Sequence, residues 1–89
     1  MKYTRGNLNK LEDIFTESNF HLRYDKGSFK SGFCVLKHQD VIIVNKYYPT
    51  EGKINVLIDI LKTLDIDTSE LSEKNKVLYA EITQEQLKL

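Results

Sequence analysis

From Leu8 the apolar positions recur at intervals of three and four: Leu8, Leu11, Ile14 and Phe15 fall on one face of a helix. Asn7 or Asn9 is available to cap it, and Asn9 with Glu12 has capping-box spacing. Asn19, a residue that tolerates the left-handed region, is the expected stop. At Phe20 the period changes to two. Phe20, Leu22 and Tyr24 alternate with His21, Arg23 and Asp25, the pattern of a half-buried strand. Residues 25–32 hold two glycines and two serines and read as a loop. Phe33–His38 follows as a second strand, Gln39–Asp40 as a tight connection, and Val41–Lys46 as a third strand. Ile54, Leu57, Ile58, Leu61 and Leu64 then mark an amphipathic helix, widened by Val56 and Ile60, with Thr50 as cap and Pro49 before it. Asp65–Ser72 is acidic and turn-like. The last segment fits either a helix capped by Ser72 that buries Leu78 and Ile82, or a fourth strand through Val77 and Tyr79; the helix is preferred.

These elements predict one α+β domain over 1–89, a three-stranded antiparallel meander packed on one face by two helices. A two-residue turn at Gln39–Asp40 puts Val35 opposite Val44, Lys37 opposite Ile42 and Cys34 opposite Asn45. Closing the first loop near Asp25 and Gly32 puts Leu22 opposite Val35 and Arg23 opposite Cys34. One face then carries Phe20, Leu22, Tyr24, Phe33, Val35, Ile42 and Val44, which is the expected core. The other carries His21, Arg23, Cys34, Leu36, His38, Val41, Ile43 and Asn45, too apolar for a solvated face and too polar for a core. Left uncovered, Leu36, Val41 and Ile43 form an apolar patch of the kind that marks an interaction site. The C-terminal segment, a second copy of the chain and another partner are the candidate covers.

The composition agrees with a folded chain: 89 residues, 40% apolar and 29% charged, outside the range of disordered sequences. Thirteen basic and thirteen acidic residues cancel, so no overall field attracts nucleic acid or an anionic membrane, and neither is an expected partner. The distribution is uneven. Residues 1–50 hold eight basic and five acidic residues, and residues 51–89 hold five basic and eight acidic. Such asymmetry can steer a partner or align two copies head to tail. The single cysteine, Cys34, excludes an internal disulfide framework and fits a reducing compartment. No signal-peptide pattern or span of about 20 apolar residues is present, so a cytoplasmic chain is expected.

Candidate chemistry is sparse. Cys34 and His38 are four residues apart, but on a strand that spacing puts them about 13 Å from each other, too far to share zinc. No metal or cofactor is expected. Arg23 across the strand would favour the Cys34 thiolate, although a lone strand cysteine is most often a packed small hydrophobe. The loop Lys26-Gly27-Ser28-Phe29-Lys30-Ser31-Gly32 has glycines that let amides converge and two lysines able to receive an anion, yet no phosphate-loop pattern. Its plainer reading is a solvated loop with Phe29 folded onto the core.

The pattern Tyr24-x-Lys26-Gly27-x-Phe29-x-x-Gly32-x-Cys34, followed by a strand ending Val44-Asn45-Lys46, resembles a family of small uncharacterised bacterial proteins. The likeness covers roughly residues 11–64, with Gly27, Gly32, Cys34 and Lys46 at its recurring positions; it implies a fold and no mechanism. More remotely, two strands leading into a helix are similar in layout to the core of antirepressor-cleaving, ImmA/IrrE-type zinc peptidases. The helix here reads Lys53-Ile54-Asn55-Val56-Leu57-Ile58-Asp59, without the two histidines and the glutamate of that chemistry, so only the layout is implied.

The expected function is a non-enzymatic protein-interaction module, partnered by another protein or, as a homodimer, by itself. Leu36, Val41 and Ile43 would supply apolar contact, with Arg23, Asn45 and Lys46 at the rim and Lys26, Gly27, Lys30 and Gly32 adjoining. The alternative is small-anion binding or a thiol-dependent activity centred on Cys34, with Lys26 or Lys30 holding the anion.

Overall fold

The computed structural model describes residues 2–26, 32–36, 39–64 and 66–84, with the backbone alone at 32–36 and 84. The element order is α1 (Arg5–Glu17), β1 (His21–Asp25), β2 (Gly32–Leu36), β3 (Gln39–Asn45), α2 (Thr50–Thr63), a 3-10 turn (Thr68–Glu70) and α3 (Glu73–Gln84). Thr4, rather than Asn7 or Asn9, caps α1: its hydroxyl accepts from the Asn7 backbone N–H at 3.2 Å. The capping-box spacing at Asn9 falls inside the helix and has no terminus to cap. The stop falls where expected, because Asn19 takes φ of 66° just past Ser18, and the chain turns directly into β1.

The sheet is mixed, in the order β1-β3-β2. This corrects the antiparallel meander. β3, not β2, is central; β1 runs parallel to it, with Leu22 beside Ile42, Arg23 beside Ile43 and Tyr24 beside Val44. β2 runs antiparallel on the other side, with Phe33 beside Ile42, Cys34 beside Val41 and Val35 beside Asp40. The pairings expected between Val35 and Val44, Lys37 and Ile42, Cys34 and Asn45, Leu22 and Val35, and Arg23 and Cys34 are therefore all replaced. Gln39 and Asp40 belong to β3, and the link to β2 spans residues 37–38, which lie outside the described residues.

The reason for β3's position is in its own composition. A central strand flanked on both edges accommodates apolar side chains pointing each way, and Val41-Ile42-Ile43-Val44 is an unbroken aliphatic run. Val41, Ile42 and Val44 are all buried. β1, with its alternating charges, suits an edge, where exposed Arg23 discourages pairing with further strands. A parallel neighbour needs a crossover of about a dozen residues, and 26–38 is long enough.

One apolar cluster joins the layers. Leu8, Leu11, Ile14 and Phe15 of α1 meet Ile54, Leu57, Ile60 and Leu61 of α2 over Ile42 and Val44, with Leu22 and Tyr24 packed alongside. Each such buried side chain is worth roughly 1.5–3 kcal/mol of transfer free energy. Phe20 closes the edge, with its ring meeting Phe15 edge-on at 6.1 Å and 87°.

The C-terminal segment is a helix, and Ser72 caps it by accepting from the Asn75 N–H at 3.4 Å. Ile82 is buried and Leu78 is partly buried, as the helical pattern requires. α3 packs against α1 and α2, adding to the helical layer.

Candidate functional site

Where β1 and β3 end side by side, a shallow surface cleft of about 530 Å³ opens, lined among the described residues by Arg23, Asp25, Lys26 and Ile43. The parallel register builds it. Arg23 and Asp25 are two apart on β1 and so share one side of the strand, and Ile43 is the register partner of Arg23 on β3. Leu22 and Tyr24 take the alternate positions toward the helices. The guanidinium of Arg23 lies 3.4 Å from the Asp25 carboxylate, both side chains being open to water. An exposed pair of this kind contributes little stability, about 0–1 kcal/mol, and leaves guanidinium donors available.

The pairing continues one residue beyond the strands, since the Lys46 N–H donates to the Asp25 carbonyl at 2.9 Å. Lys46 thereby follows beside Lys26, and both are exposed. Asn45 makes the turn that takes the chain from there into α2. It is buried, its side-chain oxygen accepts from the Tyr47 N–H at 3.0 Å, and its carbonyl accepts from the Tyr48 N–H at 3.2 Å. Tyr47 is left 69% exposed at the tip.

On the helical side of the same strand end, the Tyr24 hydroxyl donates to the Glu12 carboxylate, and the Lys53 ammonium lies 5.1 Å from the centre of the Tyr24 ring. Burial, reinforced by the bond to Glu12, pushes the phenol's pKa up and keeps it neutral. The arrangement ties α1, β1 and α2 together.

The structure thus brings Arg23, Lys26, Ile43 and Lys46 of the expected surface to one strand end and gives Asn45 a turn-making role. Val41 departs from expectation. It is 4% exposed, already covered within the chain, so no apolar patch runs through it. Cys34 and Arg23 are separated by β3 and offset by two register positions, because Cys34 pairs with Val41 and Arg23 with Ile43. Two strand spacings and two residues put their backbones roughly 12 Å apart, which removes the geometric basis for thiol activation by Arg23. Gly27, Lys30 and Phe29 lie outside the described residues; Gly32, Cys34 and Leu36 are placed by backbone register alone.

Asp25 and Tyr47 join this strand end in addition to the residues expected from the sequence. The Arg23-x-Asp25 spacing was a usable signal for the first, once His21–Asp25 reads as a strand. Nothing in the sequence separates the exposed Tyr47 from its partly buried neighbour Tyr48. Among the described residues no group of three or more His, Cys, Asp or Glu is arranged to hold a metal ion, and no helix is long and apolar enough to cross a membrane. No family model, no curated protein and no solved structure matches the chain.

Proposed function

We propose that the chain is a non-enzymatic interaction module of the cytoplasm whose recognition surface is the carboxyl end of the β1–β3 pair, and that it receives an acidic segment of a protein partner or of a second copy. The supporting observation is the convergence there of Arg23 and Lys26 beside Ile43, with Asp25 as the single carboxylate lining the cleft among the described residues and the Lys46 backbone paired just past the strand end. The strand ends are anchored to the packed core, so the cations are presented on a firm base. Guanidinium donors suit carboxylates in a planar, two-point geometry, the ammonium groups add field, and Ile43 offers a small apolar floor. In this reading the chain stands beside the small bacterial proteins that its Tyr24–Cys34 pattern resembles.

Titration with poly-L-glutamate tests it. Binding should weaken as salt rises, and Arg23→Ala/Lys26→Ala should lose at least about tenfold in affinity, the size expected for two partly screened charge contacts. Equal binding by that variant sinks the proposal. The same pair of cations favours, as a second reading, a small anion held in the cleft; saturable binding of inorganic phosphate that excludes poly-L-glutamate would select it.

A further inference from the structure

The molecule has a second, oppositely charged end. α1 finishes next to the start of β1, and the 3-10 turn and the first turn of α3 pack against it through a network of acidic side chains. The Asn75 side-chain amide donates to Asp13 and to Glu17, at 2.9 Å each, and the Ser72 backbone N–H donates to Glu17 at 2.8 Å. The Asn19 amide donates to Glu70 at 2.8 Å. Every donor in this network is neutral. It fixes the carboxylates without cancelling their charge, and the hydrogen bonds from Ser72 and Asn75 hold Glu17 ionised below the usual carboxylate range. Among the described residues, the ion pair nearby in sequence is Glu73 with Lys76, at 3.5 Å.

From this geometry, and resting on the cleft's reading as an acid-binding surface, we infer that the partner is a second copy bound head to tail: the Asp13–Glu17–Glu70 end of one molecule seats on the Arg23–Lys26 cleft of the next. The carboxylate network lies at the amino end of β1 and Lys26 just past its carboxyl end, about 16 Å along the strand from His21, with Arg23 at mid-strand between them. A two-fold contact between like ends would oppose carboxylate to carboxylate or cation to cation. Complementarity requires unlike ends, and seating them end to end is a heterologous contact that repeats rather than closing at two copies. The +3 and −3 halves visible in the sequence are the coarse form of the same polarity.

Sedimentation of the full chain at concentrations from about 10 to 500 µM tests this, a range that brackets weak association. In about 0.02 M salt the mean mass should rise past a dimer with concentration, and association should weaken at least about tenfold in about 0.5 M salt. Arg23→Glu/Lys26→Glu and Glu70→Lys should each be monomeric alone. Mixed in equal amounts they should associate again, which also shows that both are folded. A monomer at every concentration that still binds poly-L-glutamate overturns this inference and leaves the proposed function standing; a monomer that binds none overturns both. Association that persists in either charge variant alone also overturns it.

Discussion

The buried side chain of Asn75 holds the carboxylates of Asp13 and Glu17 together, donating to both at 2.9 Å. Its position on the first turn of α3 makes it the polar tie between that helix and α1, with Ile82 as the apolar tie at the other end. A buried amide is tolerated there because its donors are used.

Asn75→Ala should cost about 1–3 kcal/mol, the range for losing hydrogen bonds to charged acceptors at a buried donor. The loss should be local before it is global. Hydrogen exchange should show α3 amides opening faster while those of α1 and α2, which share the main apolar cluster, keep their protection.

Acid should loosen the same junction. Glu17 is held below its ordinary value of 4.5 first by the Ser72 N–H and then by the Asn75 amide. Because its folded pKa is the lower one, its contribution is complete above 4.5 and disappears as pH falls through the folded value. Asp67, lowered by the hydroxyl and then the N–H of Ser69, acts in the same direction. Denaturant midpoints measured between about pH 6 and pH 2.5 should fall toward acid, with a shallower fall in Glu17→Gln. An unchanged slope in that variant would contradict the assignment.

Tyr24 should ionise late. Its folded pKa lies above the unfolded value of 10, so the bond to Glu12 contributes fully below pH 10 and is lost as pH rises through the folded value. An ultraviolet titration should contain a delayed phenolate step that vanishes in Tyr24→Phe. At neutral pH that variant should cost about 1 kcal/mol, since the bond is only partly buried.

Asn19 separates backbone from side-chain effects. Its φ of 66° costs an ordinary L residue roughly 1 kcal/mol, which glycine avoids. Both Asn19→Gly and Asn19→Ala lose the bond to Glu70, so the difference between them isolates the turn. Alanine should be the less stable variant by about 1 kcal/mol in chemical denaturation.

Much of the local structure was legible in the residues. Leu8, Leu11, Ile14 and Phe15 gave α1's buried face, Ile54, Leu57 and Leu61 gave that of α2, and the change of period at Phe20 gave β1. Leu22, Tyr24, Ile42 and Val44 were assigned to the core side and lie there. The strand order is different from the order along the chain: consecutive strands are frequently neighbours, but here β1 pairs with β3 and not with β2. The unbroken Val41–Val44 run carries the signal for β3's place, since alternation belongs to an edge and continuity to a centre. The cleft depends on the same pairing: Arg23, Lys26, Ile43 and Lys46 stand out in the sequence, but the neighbour of Arg23 is Ile43, where an antiparallel meander would put Cys34.

Sequence alone determined the elements of this chain, because periodicity and turn residues act over a few positions and each helix or strand records its own buried face. Tertiary structure decided that β1 lies parallel to β3, which sets Arg23 beside Ile43 and carries Lys26 and the Lys46 backbone to the same strand end. Strand pairing joins residues far apart in the chain through backbone groups that every residue possesses, so side-chain pattern limits the choice of neighbour without dictating it.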